Sequence, residues 1–175
     1  MGRRGEPSAS QRREQREDRM RQWLNSPAGQ ECKRKSDSLI DRFGPEIESV
    51  AQSCKKAFNE GAYSYTYDLR WGGVNPPVHC NEQQGNEIYT RLRAFEVKHG
   101  ESMLPVLKVQ DVHGEYKGVL NTYAEVEHDA ERAKRCEKDV AKLVRSEKLQ
   151  SRIADLKSKF GFGKDSAQSD GMSME

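Results

Sequence analysis

The sequence has no apolar run approaching the roughly 20 residues that cross a bilayer, so neither a helical membrane span nor a membrane partner is expected. Its four cysteines include no close pair. Cys32, Cys54, Cys80 and Cys136 lie 22, 26 and 56 positions apart, without the CxxC unit that zinc sites and dithiol redox centres use. Nothing around Trp23 and Leu24, which sit among Arg21, Gln22 and Asn25, resembles a secretory apolar segment. Reduced thiols and a cytoplasmic location are therefore expected. Phosphate-cradling glycine loops are missing too. Gly161 and Gly163 keep a fragment of the dinucleotide-binding spacing, but they follow a helical pattern and open no helix. Carboxylates are plentiful, yet none stands in an apolar run that would raise its pKa for acid–base work. Catalytic residues, a metal site and a cofactor are not expected on these grounds.

What the chain has instead is charge. Charged residues make up 33% of its 175 positions and hydrophobic ones 34%, with a mean hydropathy of −1.00, the composition of a small core carried on long solvated helices. The formal net charge of +2 hides an uneven distribution: Met1 to Lys35 holds ten Lys and Arg against five acids, residues 36–120 nine against twelve, and residues 121–160 ten against eight. A basic arm on a neutral-to-acidic body is a footprint of nucleic-acid or acidic-partner binding.

Ser8 or Ser10 is placed to cap a helix that runs to about Asn25 and stops at Ser26 and Pro27. Its apolar residues, Met20, Trp23 and Leu24, fall at its end, so it needs a packing partner. Leu39, Ile40, Phe43, Ile47, Val50, Ala51, Cys54, Ala57 and Phe58 keep helical phase across Gly44 and Pro45. That predicts one kinked helix, or two nearly coaxial ones, ending at residues 59–61. From Ala62 to Trp71 the period becomes two, with Tyr63, Tyr65, Tyr67, Leu69 and Trp71 on one face, which predicts a strand. Gly72 to Gly85 reads as a long loop.

Asn86 is expected to cap a helix from Glu87 to about His99, with Gly100 as terminator, the alternative being a strand with Arg91 and Arg93 on one face. Met103–Gln110 and Glu115–Thr122 read as a hairpin turning at His113 and Gly114. A helical pattern then holds from about Thr122 to Phe160, roughly 58 Å if continuous. Its apolar stripe changes side. Val126, Ala130, Ala133, Cys136, Val140, Leu143 and Val144 point one way, while Leu149, Ile153, Leu156 and Phe160 point nearly the opposite way. Either the helix breaks near Ser146, or the second stripe has a partner of its own.

The fold expected is α+β and predominantly helical, with a small antiparallel sheet (strand 62–71 plus hairpin 103–122) packed by helices and a long C-terminal helix. Along the chain this gives a basic N-terminal arm (1–27), an α+β core (28–146), an amphipathic helical extension (147–160) and a disordered tail (161–175). Helices bracketing a run of strands resemble the double-stranded-RNA-binding arrangement, with a long loop and an extra helix as departures, and no residue is carried over from it.

Four candidate sites follow. Arg12, Arg13, Arg16, Arg19 and Arg21, with Lys33, Arg34 and Lys35 after them, offer cations to a phosphate backbone. The Tyr63, Tyr65, Tyr67 and Trp71 face is either a stacking platform for unpaired bases or part of the core. His79 and Cys80 are weighed as a thiol nucleophile or as metal ligands with His99, His113 or Cys136, against plain structural roles. Leu149, Ile153, Leu156 and Phe160 offer a face for helix association. The leading expectation is a non-enzymatic accessory protein that binds RNA or single-stranded DNA through the basic N-terminal helix. The alternative is a protein-interaction or assembly subunit that associates, with itself or another chain, through the C-terminal helix.

Overall fold

Helix α1 spans Ala9–Asn25, and Ser8 starts it with a reciprocal cap. The Ser8 hydroxyl accepts from the Gln11 N–H at 3.2 Å while the Gln11 side chain accepts from the Ser8 N–H at 2.8 Å. Ser26 ends this helix and begins the next, its Oγ accepting from the Gly29 N–H at 3.1 Å, and Pro27 sits in the first turn where no donor is required. Gly29 makes the corner: a Cβ there would overlap the Trp23 carbonyl. The protein is described by a computed structural model over residues 5–63, 67–68, 73–74, 79–111 and 114–161.

Helix α2, Pro27–Gly61, is one kinked helix, as the unbroken stripe implies. Phe43 leaves helical geometry (φ −134°, ψ 22°) two residues before Pro45, whose ring nitrogen has no proton for the Asp41 carbonyl. Leu39, Ile47, Ala51, Cys54, Ala57 and Phe58 of the stripe are buried.

The sheet is smaller than the sequence implies. β1 (Ala62–Tyr63) pairs antiparallel with β4 (His79–Cys80), and β2 (Tyr67–Asp68) pairs antiparallel with β3 (Gly73–Val74). Tyr65, Leu69 and Trp71 lie outside the described residues. The alternating stretch therefore joins two separate two-residue ladders. It has no hairpin partner at 103–122, because that segment is helical.

Helix α3, Glu82–His99, begins five residues earlier than expected. Asn81 is its cap, accepting from the Gln84 N–H at 2.9 Å, and Asn86 instead accepts from Arg132 Nε at 2.6 Å. Gly100 closes the helix in the left-handed conformation (φ +74°). Where the hairpin was expected stand α4 (Leu104–Gln110) and α5 (Lys117–His128). Pro105 opens α4, a position that suits a helix and would break a strand ladder. Tyr116, the residue that precedes α5, and Val119, Leu120 and Tyr123 within it recur at helical spacing and pack inward. Gly118 lets α5 approach α2, since a Cβ at that position would enter the Phe58 ring. With the hairpin gone, the likeness to a double-stranded-RNA-binding arrangement goes with it.

The long C-terminal pattern breaks at Asp129. This residue is extended (φ −94°, ψ 93°), ends α5 and caps α6 (Ala130–Phe160) by accepting from the Arg132 N–H at 3.2 Å. No break occurs at Ser146. The core gathers around α3, whose Ile88, Leu92 and Phe95 are buried between α2, α5 and α6. The proximal part of α6 runs parallel to α3: Arg132 meets Asn86, Glu137 meets Arg93 at 3.2 Å, and Glu147 meets Lys98 at 3.6 Å. Cys136, Val140 and Val144 are buried along this seam.

Candidate functional site

Among the described residues two surfaces hold most of the residues singled out in the sequence, one beside α1 and one where α6 leaves the body. The first is an open groove of about 640 Å³ lined by Arg16, Arg19, Met20 and Trp23 of α1, Lys108 of α4, Asp111 and Gly114 of the connection, and Lys117 and Leu120 of α5. Met20, Trp23 and Leu24 are half-buried, and Met20 and Trp23 face Leu120 of α5 across this groove. Arg16 reaches the turn, where a Cβ added to Gly114 would stand 3.0 Å from its guanidinium. Four cations thus face one carboxylate. Burial raises the Asp111 carboxyl, against the lowering effects of a hydrogen bond from the Tyr116 N–H and of nearby cations including Arg16 and Lys117. The chemistry on offer is attraction of an anion beside an indole ring.

The groove takes only part of the cation set read from the sequence. Arg13 pairs with Glu17 at 3.5 Å and Arg21 with Asp18 at 3.7 Å, while Arg12 is exposed and does not line it. Arg34 and Lys35 lie elsewhere on α2, both pairing with Glu31, and with Arg42 they line a separate groove of about 350 Å³ beside Glu101. Lys33 is exposed on the same helix. The eight expected cations are therefore spread over two helices and several directions. Lys108 and Lys117 join the groove without having been singled out, because they fell on residues expected to form a hairpin.

The second surface is the distal part of α6. The body ends near Gly100, and beyond Glu147 the helix continues for about 20 Å with every residue from Lys148 to Gly161 exposed. Leu149, Ile153, Leu156 and Phe160 lie along one side of this projection at 58%, 43%, 53% and 66% exposure, four of the seven large apolar side chains exposed among the described residues. The expected second stripe is thus placed on the solvent side of an unbroken helix.

The root of the projection is held by an ionic cluster. Glu46, at the α2 kink, accepts from Lys98 Nζ and pairs with His99 Nε2, both at 2.8 Å, and Lys98 also reaches Glu147. The His99 ring packs against Phe43 and Phe95, with centroids 4.0 and 4.6 Å away. Burial alone would raise the Glu46 carboxyl, but the hydrogen bonds from Lys98 and His99 outweigh it and hold it below its usual value.

The remaining candidates come apart. Burial pushes the Cys54 thiol up to about 12 and raises those of Cys32, Cys80 and Cys136, leaving little thiolate at neutral pH. His79 stacks on the exposed Tyr63 ring at 6.2 Å, His113 lies outside the described residues, and no group of three or more potential metal ligands occurs among the described residues. Of the aromatic face, only the Tyr63 side chain is described.

The projecting amphipathic helix and the cationic groove belong to a mostly helical protein with only short antiparallel strand pairs among its described residues. Compared with protein-family models, curated proteins and solved structures, the chain gives no match.

Proposed function

We propose that this protein is an interaction or assembly subunit that associates through the distal half of α6. One observation carries the reading: Leu149, Ile153 and Leu156, exposed on one side of a helix that has left its own domain. Burying such a side chain fully contributes about 1.5–3 kcal/mol, whereas association forfeits on the order of 4–15 kcal/mol of translational and rotational freedom. Three or four such residues are enough for a reversible contact when the partner contributes as many. The reading is tested with Ile153→Glu, which places a charge in the middle of the stripe at a position that supports no core. The variant is expected to fold normally and to lose its partner. An Ile153→Glu protein with unchanged mass in solution and unchanged partners counts against association by this face.

A second reading is favoured by the groove, where Arg16, Arg19, Lys108 and Lys117 from three helices surround Trp23. On this reading the protein binds RNA or single-stranded DNA, with phosphates on the cations and a base against the indole. Affinity for mixed RNA and DNA should fall steeply between two salt concentrations, and further in a Lys108→Glu/Lys117→Glu variant. An absence of binding at low salt, or binding indifferent to salt, removes it. Association through α6 ranks first because its residues form one continuous surface, whereas the cations expected to act together are divided.

A further inference from the structure

Resting on the association reading above, we propose that the partner of distal α6 is an acidic amphipathic helix of another protein, and neither a second copy of this chain nor a membrane surface. Leu149, Ile153, Leu156 and Phe160 are separated by four, three and four residues, the alternation of a heptad seam with Leu149 and Leu156 at d and Ile153 and Phe160 at a. At 100° per residue the stripe is only about 60° wide, narrower than the 100° or more of a helix that lies on a globular core or along a lipid surface. A seam this narrow fits one other helix.

The residues flanking the seam decide which helix. The g positions are Arg145, Arg152 and Lys159, and the e positions are Gln150 and Lys157. The acids of this segment, Glu147 and Asp155, fall at b and c, away from the seam, and Glu147 is turned to Lys98 on the body. Among the described residues, Arg152, Lys157 and Lys159 enter no ion pair. A parallel pairing with a second copy would set Arg152 against Lys157 of that copy. An antiparallel pairing would set g against g and e against e, again cation on cation. The seam also stops short in the direction of the body, where Ser146 and Lys142 take the next a and d positions. Self-association thus has two heptads of apolar contact opposed by like charge on both flanks. A helix with apolar a and d residues and Glu or Asp at e and g keeps the same contact and turns both flanks attractive.

The test uses the full-length chain with two labelled 21-residue helical probes that share Ile at a and Leu at d, one with Glu and one with Lys at every e and g position. Sedimentation of the chain alone and its capture by phosphatidylserine vesicles are measured alongside. The Glu probe should bind at least about tenfold more tightly than the Lys probe, with the difference shrinking as salt screens the flanks. Ile153→Glu should abolish binding, and the triple variant Arg152→Glu/Lys157→Glu/Lys159→Glu should reverse the preference. All four substitutions lie on the exposed projection, so the fold survives them, and circular dichroism checks this. Equal binding of the two probes overturns the charge argument. A low-salt dimer that Ile153→Glu disperses, or vesicle capture without probe binding, overturns the choice of partner while leaving association by this face intact. If no probe, copy or vesicle binds and Ile153→Glu changes nothing, the association reading falls as well.

Discussion

Helix α1 and the distal half of α6 carry similar chemistry to opposite ends. Both are charged helices with few apolar residues, yet α1 turns Met20, Trp23 and Leu24 toward the body while α6 holds Leu149, Ile153 and Leu156 in solvent. The difference lies in the connection. The Ser26–Gly29 corner folds α1 back on its neighbours within a residue or two, whereas α6 continues past the end of α3 as one unbroken helix to Phe160. Amphipathicity alone does not tell whether a helix serves its own core. The nearest chain reversal does.

The comparison is broken most severely at Trp23. If α1 is docked by its apolar end, Trp23→Ala should lower the stability of the isolated chain by about 1–2 kcal/mol, below the roughly 3–5 kcal/mol of a core Trp→Ala change because the ring is only half-buried. The amides of α1 should exchange faster in hydrogen-exchange measurements while those of α3 hold. Unchanged protection in α1 would mean that the groove is not closed by this helix, and its cations would lose their arrangement with it.

A smaller effect sharpens the other end. Glu46 titrates below its ordinary 4.5 in the folded chain, so the folded form binds fewer protons than the unfolded form in that window. Its contribution is fully present above the ordinary value and is lost as the pH falls from there through the lower value of the folded chain. Lys98 is shifted the other way, raised above 10.5 chiefly by its hydrogen bond to Glu46 despite desolvation, so its contribution is present below that value and is lost as the pH rises beyond it. Glu46→Gln should flatten the acid limb of a stability–pH curve and lower stability at neutral pH by less than about 1 kcal/mol, as for a partly screened pair. An acid limb unchanged in the variant would show that the cluster does not tether α6 to the kink.

How far these features could be read in advance depended on the length of each pattern. The stripe of α2 spans enough residues to fix its phase through Pro45, and the kink followed from it. The opposed stripes of α6 were legible for the same reason, although the break sits at Asp129 instead of Ser146. Asp129 was hidden among acids, because capping shows in a sequence only when a helix boundary is already suspected. The hairpin expected at 103–122 failed for want of length: Met103, Leu104, Val106 and Leu107 form too short an apolar run to separate a period of two from one of 3.6. The helical signal was there in Tyr116, Val119, Leu120 and Tyr123, but the last of these lay beyond the boundary drawn at Thr122. Lys108 and Lys117 went unassigned with it, and so did half of the groove.

The smallest expected effect is the one on which the contrast turns. Leu156→Ala removes as much side chain as a core leucine substitution, which typically lowers stability by about 2–5 kcal/mol. At a position 53% exposed on a helix clear of the body, little apolar area leaves water on folding, and Ala propagates a helix at least as well as Leu. The isolated chain should therefore unfold within about 0.5 kcal/mol of the parent. The same substitution measured on a complex should weaken it by roughly tenfold or more, because the area lost there is area the partner covers. A loss above 1 kcal/mol in the chain alone would place Leu156 against its own domain, and the face argued to await a partner would already be occupied.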